Sequence, residues 1–597
     1  MGCKLIGWLS AAIVLAAPSL AHAAGGNIHH RSDFRITGYL PWYSASHIPQ
    51  IHFEYLTDVI YFSMGVTSDG GIDQRQINND VLDNLVRIGQ ASDTQVHVSL
   101  GGGGGDFGFS NVVGDAAKRD RLARALRDFA LAHDIDGIDL DWEPFGHPDS
   151  DFEDYSRLMT AIHKQLAPHR LELSVAVPRP NAWVKPFAYN SVNNFHVMSY
   201  DHGTPHSSFE DSQIDIAQWQ ALGVPDDKIN LGVPFYGRNA DRQAYAYSDL
   251  VAAYAPPPES DEAGGVFFNG IKTIQRKARY AFDLGLGGVM IWQLGLDTFD
   301  DTSLLKALHD AIYQPGSIAI RNGSFEYTDV IDSGNPRGID HYDTPTAWKV
   351  GGPARSDVGV FDPGDRQFEL TRGNNIQGSL PDGGQIGFVE DGSGVEDSTT
   401  LEKQLAVDAE PGAIYTLRFS VGRRADMNIG TDYAVQLLAD DASVASWSNP
   451  VTPAAGTFEP VELIYTSAPD AEGELGIRFL ANDGEQRYSQ TFFDAVSLGV
   501  QLVGDLDDNG VVDAFDVDDF ELALADRQAY LGAHAGLVPD LIGDLDGSGK
   551  IDAFDVDDFE RLLAGSGISV PEPHAMVAIG LAMFLFPRRR QLVIMRA

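Results

Sequence analysis

Short apolar runs of strand length alternate with segments of helical periodicity from Phe34 to about Pro315. Eight runs have strand character: Arg35–Leu40, Asp58–Val66, Gln95–Gly101, Gly137–Glu143, Leu171–Pro178, Phe195–Asp201, Lys228–Tyr236 and Gly287–Leu294. Helical spacing of apolar residues marks Asp115–His133, Asp151–Leu166 and Asn269–Leu284. These repeats predict an α/β fold in which residues 34–315 form a closed parallel (β/α)8 barrel. An open doubly wound sheet is the alternative, but no glycine-rich dinucleotide turn follows the first strand.

The pattern changes after Pro315, and residues 318–500 show strand-like alternation without long helical periodicity. The clearest strands are Tyr415–Val421, Tyr433–Leu438, Val461–Tyr465 and Leu475–Leu480. Turn residues between them predict a β-sandwich. Its ends, Asn322-Gly323-Ser324-Phe325-Glu326 and Phe493 to Leu498, resemble those of jelly-roll carbohydrate-binding modules. Trp348, Tyr342 and Trp447 are candidates for a platform that stacks sugar rings, and packing in the core is the alternative.

An internal repeat occupies residues 503–565, where one acidic motif returns after 39 residues. Oxygen-bearing side chains stand at positions 1, 3, 5, 9 and 12 of each copy, with glycine at position 6, as calcium loops require. They are Asp505, Asp507, Asn509, Asp513 and Asp516, then Asp544, Asp546, Ser548, Asp552 and Asp555. The copies resemble dockerin modules, which implies a small α-helical module that binds Ca²⁺ and a cohesin-like partner. The spacing is wider than in compact dockerins, and a solvated acidic linker is the alternative.

The two ends of the chain have the composition of targeting segments. Residues 1–23 read as a secretory signal, with Lys4, an apolar run and the small-residue site Ala21-His22-Ala23. Residues 570–593 contain Val570-Pro571-Glu572-Pro573, an apolar run and then three arginines, and resemble the Pro-Glu-Pro sorting signal of Gram-negative bacteria. The resemblance implies a transient membrane anchor, a sorting transpeptidase, and release to the cell surface or extracellular matrix. Cytosolic retention is the alternative.

Charge narrows the range of partners. The chain carries 85 acidic and 42 basic residues, a formal net charge of −43. This excess of negative charge repels nucleic acid, so we expect no nucleic-acid partner.

The strongest candidate for chemistry is an acidic run in the fourth predicted barrel strand. Asp139, Asp141 and Glu143 share one face of that strand, whereas Asp136 has the other parity and stands at its entrance. Glu143 is nearest the carboxyl end, where barrels of this kind hold their active sites. Three neighbouring carboxylates cannot all ionise at low cost, so the group retains a proton. A protonated glutamic acid can protonate a glycosidic oxygen, while a metal site or an acidic loop is the alternative.

Several separate motifs resemble glycoside hydrolase family 18, the chitinases and their relatives. The resemblance covers nearly all of residues 34–315. In strand order the motifs are Gly38 to Tyr43, Ser99-Leu100-Gly101-Gly102, Asp136 to Glu143, Met198-Ser199-Tyr200-Asp201, Pro234 to Arg238, and Met290-Ile291-Trp292.

The resemblance implies a secreted chitinase that cleaves β-1,4 bonds between N-acetylglucosamine units with retention and without a catalytic cofactor. The acetamido oxygen of the substrate would be the nucleophile. Glu143 would be the proton donor, Asp141 would stabilise the acetamido nitrogen, Asp139 would tune Asp141, and Tyr200 would bind the acetamido oxygen. Further substrate-binding residues would be Tyr39, Met198, Asp201, Tyr236 and Trp292.

Two other functions remain open at this point. An endo-β-N-acetylglucosaminidase that acts on glycoprotein glycans or peptidoglycan would share the same acids. A non-catalytic chitin-binding lectin is disfavoured because Glu143 is present. The roughly 50 residues between Arg238 and Leu286 leave no room for a sizeable α+β insertion beside the barrel's own helix. We therefore expect an open groove and internal cleavage.

Overall fold

A computed structural model describes residues 34–103, 108–143, 149–178, 183–313, 316–327, 339–341, 345–351, 358–362, 380–382, 385–390, 399–425, 432–468, 471–481, 490–507, 512, 515–534, 537–545 and 548–565. The predicted signal peptide and sorting tail lie outside these residues, as do Tyr342, Asn509, Asp513 and Asp546. Two compact units are found, one of His30–Val500 and one that includes Gln501–Ala597. Within the described ranges, no helix is both long enough and apolar enough to cross a membrane.

The first part of the larger unit is an α/β barrel with a small side sheet. Its strands are β1 (Arg35–Pro41), β2 (Asp58–Val66), β3 (Ile72–Asp73), β4 (Gln95–Gly101), β5 (Gly137–Asp141), β6 (Glu172–Val177), β7 (Asn194–Val197), β8 (Ile229–Pro234), β9 (Tyr236–Asn239), β10 (Ala244–Ala246), β11 (Glu262–Ala263), β12 (Val266–Phe267) and β13 (Gly288–Trp292). Its α-helices are α1 (Asn79–Ser92), α2 (Ala116–His133), α3 (Asp149–Leu166), α4 (Phe209–Ala221), α5 (Tyr247–Tyr254), α6 (Ile271–Asp283) and α7 (Leu304–Ile312).

Eight of these strands close the barrel, which confirms the predicted fold class. The parallel strands follow the order β1, β13, β8, β7, β6, β5, β4 and β2, and β1 pairs with β2 to complete the ring. Tyr39 of β1 stands opposite Ile60 of β2, and Ile36 stands opposite Val289 of β13. Asp136 precedes β5 and accepts a hydrogen bond of 2.7 Å from the backbone N–H of Val96, as expected at the strand's entrance. Closure brings side chains from strands distant in sequence into one interior.

Several predicted strands are shorter than their apolar patterns suggest, and two of them, β5 and β7, carry residues of the candidate site. β5 ends at Asp141 rather than Glu143, and β7 ends at Val197 rather than Asp201. In both cases the missing residues lie at the carboxyl end, where the chain leaves the ladder to form the mouth of the barrel. The helix that follows β7, α4, begins with a capping box between Ser208 and Asp211, which fixes where the intervening loop ends.

Residues after the barrel form a sandwich of two antiparallel sheets. Its strands are β14 (Ser317–Ile318), β15 (Ile339–His341), β16 (Lys349–Gly351), β17 (Val358–Asp362), β18 (Ile386–Glu390), β19 (Thr400–Asp408), β20 (Ala413–Gly422), β21 (Tyr433–Ala439), β22 (Ala442–Ser448), β23 (Phe458–Thr466), β24 (Glu474–Ala481) and β25 (Gln490–Leu502). One sheet runs β15-β17-β18-β25-β20-β23, with β14 paired to β25, and the other runs β16-β19-β24-β21-β22. Phe479 of one sheet stacks on Phe493 of the other at 4.2 Å between ring centroids.

The predicted sugar platform on this sandwich is only partly compatible with the structure. Trp348 is buried, its ring lies 5.0 Å from that of Phe325, and its indole N–H donates to the carbonyl of Asn322 at 2.9 Å. It is therefore a core residue and cannot stack on a sugar from outside. Trp447 is half-buried on β22.

The second unit contains the duplicated motif and is helical. Its helices are α8 (Asp516–Ala525), α9 (Arg527–Ala533), α10 (Pro539–Ile542) and α11 (Val556–Gly565). Phe520 of α8 and Phe559 of α11 occupy equivalent positions of the two copies, and their rings stack with centroids 4.3 Å apart. The repeated sequence thus supplies both halves of one small apolar core.

Candidate active site

The acidic run reaches the mouth of the barrel at the end of β5. Asp139 and Asp141 belong to the strand, and Glu143 follows two residues beyond it. Because side chains alternate along a strand, these three carboxyls project to the same side. The intervening Trp142 points the other way, is buried, and stacks on Phe109 with centroids 5.3 Å apart. This packing holds the chain on both sides of the acids.

Asp139 lies deepest and has hydroxyl donors from three other strands. Tyr39 donates to Oδ2 at 2.8 Å, Ser99 donates to the same oxygen at 2.9 Å, and Ser174 donates to Oδ1 at 2.7 Å. The side chain is completely buried. Asp139 is therefore fixed in position, and its charge acts on Asp141 from below.

Asp141 and Glu143 lie above it and line the cavity at the mouth of the barrel. Burial, the charge of Glu143 and the charge of Asp139 together raise the pKa of Asp141 well above its ordinary value. Burial and the charge of Asp201 raise the pKa of Glu143. Oδ1 of Asp141 is buried and has no hydrogen-bond partner among the described residues. The pair therefore retains a proton at a pH where isolated carboxyls have lost theirs.

Glycines of the neighbouring strand end make room for these acids. Gly101 has a φ of 114°, and a Cβ there would lie 2.3 Å from the carbonyl oxygen of Asp141. A Cβ on Gly103 would lie 2.9 Å from Oε1 of Glu143. The N–H of Gly102 donates to the Asp141 carbonyl at 2.7 Å. The Ser-x-Gly-Gly motif is thus needed for close approach of two backbones.

Asp201 is held in a left-handed conformation, with a φ of 63°. Tyr236 donates to Oδ1 at 2.8 Å, and Arg238 donates from Nε to Oδ1 and from Nη2 to Oδ2, the latter at 2.6 Å. Burial opposes ionisation, but the nearby His206 and the hydrogen bonds from Arg238 and Tyr236 hold the pKa of Asp201 well below its ordinary value. Asp201 is consequently an anion whose oxygens are already engaged.

Tyr200 and Trp292 complete the inner surface. Burial, followed by the nearby Tyr236 and the surrounding acids, raises the pKa of the Tyr200 phenol well above its ordinary value, so it remains a hydrogen-bond donor. The Trp292 ring lies 5.5 Å from Tyr39 and 5.1 Å from Phe62, between centroids. Met198 belongs to the same apolar cluster. An aromatic surface therefore lies beside polar groups, a combination that is typical of small-molecule sites.

These groups line a cavity of about 920 Å³. The structure brings together all the residues that the sequence predicted for catalysis and substrate binding: Asp141, Glu143, Met198, Tyr200, Asp201, Tyr236 and Trp292 line the cavity, with Asp139 and Tyr39 directly beneath. Other lining residues are absent from the predicted set, among them Trp183, Arg238 and Tyr245. Arg238 was detectable, because it stands two residues after Tyr236 and so shares its face. Trp183 and Tyr245 carried no comparable signal in the sequence.

The wall that contains Arg238 belongs to a small insertion. Strands β10, β9, β12 and β11 form a four-stranded antiparallel sheet between β8 and α6. The cavity is lined on this side by Arg242 and Ala244 to Ala246. The segment therefore holds more than the barrel's own helix, although the insertion is only a few short strands and α5.

A second cluster of ionisable groups lies at the opposite, amino-terminal end of the barrel strands. Asp58, His97 and Glu172 place ligand atoms within 4.8 Å of one another. Arg35 lies among them and donates to Asp58 and to Glu172, each at 2.7 Å. Because a guanidinium already bridges both carboxylates, this cluster is an ion-pair network rather than a metal site.

The first copy of the C-terminal repeat groups three of its predicted calcium ligands. Oxygens of Asp505, Asp507 and Asp516 lie within 4.8 Å of one another. Oδ1 of Asp516 accepts from the N–H groups of Leu506, at 2.6 Å, and Asp507. Hard oxygen donors at this separation fit Ca²⁺.

The second copy has the turn of a calcium loop. Gly549 has a φ of 91°, and its N–H donates to Asp544 at 2.6 Å. Oδ2 of Asp555 accepts from the N–H of Asp552 at 2.7 Å, and Ser548 donates to Asp544 from its N–H at 2.8 Å. The described ligands of this copy therefore surround one tight turn at the predicted glycine.

Comparison with known proteins matches the two parts of the larger unit separately. Residues 35–297 match the family model for glycosyl hydrolases family 18, and residues 316–499 match a model described as HpiC1 cyclase. Mouse chitotriosidase-1 is 25% identical over 308 residues, which cover 38% of this chain and 66% of the relative. The endochitinase of Manduca sexta is 26% identical over 240 residues, which cover 34% of this chain and 43% of the relative.

Among solved structures, the family 18 chitinase ChiB of Flavobacterium johnsoniae is 26% identical, with a TM-score of 0.43. The match covers 47% of this chain and 93% of that chain. The chain spans about two-fifths to two-thirds of the length of the two curated relatives. The matched family segment coincides with the barrel and includes the acidic run at its mouth. Residues 35–297 are therefore similar to the catalytic domains described by the family model for glycosyl hydrolases family 18.

Proposed function

We propose that the barrel hydrolyses β-1,4 bonds between N-acetylglucosamine units of chitin, with retention of configuration and with the substrate's own acetamido group as nucleophile. The observation that supports this proposal is that Asp141 and Glu143 have raised pKa values and line a cavity that Trp292 also lines. The names of the curated relatives, chitotriosidase-1 and endochitinase, support the choice of chitin.

The arrangement of carboxyls in the cavity supports the proposal that the substrate supplies the nucleophile. A retaining enzyme with its own nucleophile needs a second free carboxylate about 5–5.5 Å from the acid. Among the described residues that line the cavity, the other carboxyls are Asp141 and Asp201. Asp201 is occupied by Arg238 and Tyr236, and the raised pKa of Asp141 disfavours the anion that would attack. The acetamido oxygen fills this role.

The first step breaks the glycosidic bond. Glu143 gives its proton to the leaving oxygen as the bond from C1 breaks, and the acetamido oxygen forms a bond to C1. Positive charge then develops on the acetamido nitrogen, whose N–H donates to Asp141. The one proton held by the two acids is on Glu143 before the bond breaks, which leaves Asp141 as the anion that this nitrogen requires.

The second step restores the enzyme. The carboxylate of Glu143 takes a proton from water, whose oxygen attacks C1 and displaces the acetamido oxygen, so the anomeric configuration is retained. Tyr200 donates to the acetamido oxygen, and Asp139 acts on Asp141 by its charge. Trp292 supports the apolar face of the sugar, while Met198, Tyr39, Asp201 and Tyr236 shape the pocket around it.

The stereochemistry and sizes of the first products test this proposal. We expect NMR of chitohexaose digests to show the β-anomer first, with products longer than dimers, because the small insertion leaves an open groove. Prompt appearance of the α-anomer would contradict the substrate-assisted route, and an early excess of dimer would contradict internal cleavage. Turnover of glycoprotein glycans or peptidoglycan without turnover of chitin would favour the endo-β-N-acetylglucosaminidase alternative. Binding without turnover would favour the lectin.

We propose separately that the C-terminal repeat binds two structural Ca²⁺ ions, one for each loop. We expect removal of Ca²⁺ with EGTA to lower the unfolding temperature of the C-terminal unit, because ligand binding stabilises the folded state. Calorimetry of the full chain measures this, and chitin hydrolysis by the barrel should not change. The double variant Asp505→Asn/Asp544→Asn should lose the Ca²⁺ response. An EGTA effect of equal size in that variant would exclude these loops as the sites.

We also propose export to the cell surface or extracellular matrix of a Gram-negative bacterium, with a transient C-terminal anchor processed by a sorting transpeptidase. The support is the sequence of residues 1–23 and 570–593. A cohesin-like partner for the calcium module is part of the same proposal. Recovery of the full-length protein from the cytosolic fraction of producing cells would contradict export.

A further inference from the structure

A buried polar network lies behind the loop that follows β7, on the side away from substrate. Lys277 of α6 is completely buried. Its ammonium group donates to the carbonyl of Ser207 at 3.0 Å, to the hydroxyl of the same serine at 2.8 Å, and to Oδ1 of Asn269 at 2.9 Å. The lysine therefore donates two hydrogen bonds to Ser207, at the end of this loop, and a third to Asn269.

The network continues from Ser207 to the end of the strand. The Ser207 hydroxyl donates to the carbonyl of Ser199 at 2.8 Å, and Asn269 donates to the Ser207 carbonyl at 2.7 Å. Ser199 immediately precedes Tyr200 and Asp201. One line of hydrogen bonds thus connects α6 to the backbone that carries two of the proposed active-site residues.

Asp215 of α4 secures the same loop at a second point. It accepts from the Ser199 hydroxyl at 2.7 Å and lies 2.8 Å from Nε2 of His202. His206 lies between the carbonyl of Tyr236, at 3.2 Å from Nε2, and Asp201, at 3.5 Å from Nδ1. Asp201 has a left-handed backbone, which persists only where the surroundings fix it.

Stability alone does not explain a lysine at this position. Burial lowers the pKa of Lys277 to about 7, although Asp261, Asp211, Asp215 and Glu210 act in the opposite direction. Its three acceptors are a carbonyl, a hydroxyl and an amide oxygen, none of which is a carboxylate. An apolar side chain of similar length avoids the cost of burying an ammonium group. What the lysine adds is a fixed position for Ser207.

We propose that Lys277 is a positioning residue of the active site, which holds Tyr200 and Asp201 in register with Glu143 through Ser207 and Ser199. The inference rests on the proposed function. Methionine matches the length of lysine without its donors, so Lys277→Met removes the three hydrogen bonds and leaves the packing. Lys272→Met is the matched control, because Lys272 is an exposed residue of the same helix.

We expect Lys277→Met to lower kcat on chito-oligosaccharides by about 100-fold with little change in KM, since small displacements of reacting groups cost this much. Asp201 raises the pKa of Glu143 by its charge. Displacement of Asp201 should therefore move the basic limb of the kcat/KM profile to lower pH. A loss of folded protein alone would reduce the apparent kcat/KM by the same factor at every pH and would not move the basic limb of the profile. An unchanged kcat per folded molecule and an unchanged limb would overturn the proposal.

Two further measurements keep the inference separable from the function. If Lys277→Met does not fold, Ser207→Ala removes the hydroxyl that joins Lys277 to the Ser199 carbonyl. This variant should lower kcat and move the basic limb of the kcat/KM profile to lower pH, as expected for Lys277→Met. Wild-type values for both would overturn the proposal. Hydrogen exchange of the amides of residues 200–206 needs no substrate, and it should be faster in Lys277→Met than in Lys272→Met. Equal exchange would overturn the positioning role, whereas wild-type inactivity on every glycan would refute the proposed function instead.

Discussion

Replacing Glu143 with glutamine is expected to lower kcat on chito-oligosaccharides by about 1,000-fold, within the range that general acid–base catalysis contributes. Glutamine keeps the shape of the side chain but cannot give a proton to the leaving oxygen or take one from water. Binding should persist, because Trp292 and the wall of the cavity are unchanged. Steady-state kinetics and calorimetric titration with the same oligosaccharide would measure the two effects separately.

Glu153→Gln is the matched control, because Glu153 is an exposed residue of α3 and makes the same chemical change outside the cavity. It should retain wild-type kcat. Equal turnover by Glu143→Gln and wild type would end the proposed mechanism. In the wild type the protonated acid is the active form, so kcat/KM should fall as pH rises through the pKa of Glu143. Because burial and Asp201 raise that pKa, the fall should occur at higher pH than an ordinary carboxyl would give.

Loss of the arginine at the opposite end of the barrel should have the largest effect on folding. Arg35→Met leaves Asp58 and Glu172 without the guanidinium that bridges them, and the Asp58 side chain is only 3% exposed. Removing one partner of a buried ion pair typically costs about 3–5 kcal/mol in the free energy of unfolding. Calorimetry of the full chain should show a lower unfolding temperature for the transition of the barrel.

The control for this prediction is Arg75→Met, which removes a similar ion pair with Asp73 from the surface. Solvent screens such pairs, so the unfolding temperature should match that of wild type. Equal unfolding temperatures for both variants would show that the Arg35 network does not stabilise the barrel.

The pH dependence of the network has a definite sign. Burial opposes ionisation of Asp58, but Arg35 and His97 hold its pKa below the ordinary 3.8. Its contribution to stability is therefore present above that value and is lost as pH falls towards the folded pKa. In Arg35→Met the acid transition should move to higher pH.

The acidic run illustrates what a sequence pattern can show about a site. Period-two spacing correctly placed Asp139, Asp141 and Glu143 on one side of the chain, because strand geometry depends only on the local backbone. The same rule, applied to the segment that follows β8, would have placed Arg238 on the same face as Tyr236 and added it to the predicted site. Trp183 and Tyr245 were beyond such reasoning, because Trp183 reaches the cavity from a loop and Tyr245 from β10 of the inserted sheet, and tertiary contacts set the position of both.

The sequence by itself determined the barrel, its strand order and the identity of the acids, because apolar periodicity and strand ends are local properties of the chain. It did not distinguish a core role for Trp348 from a surface role, since burial depends on which sheet covers a side chain. Only the tertiary structure decided that Asp201 is engaged by Arg238 and that Lys277 lies behind its loop. Asp201 and Arg238 are 37 residues apart in the sequence, and Lys277 and Ser207 are 70 residues apart. The distances within each pair are therefore set by closure of the barrel and not by the local sequence.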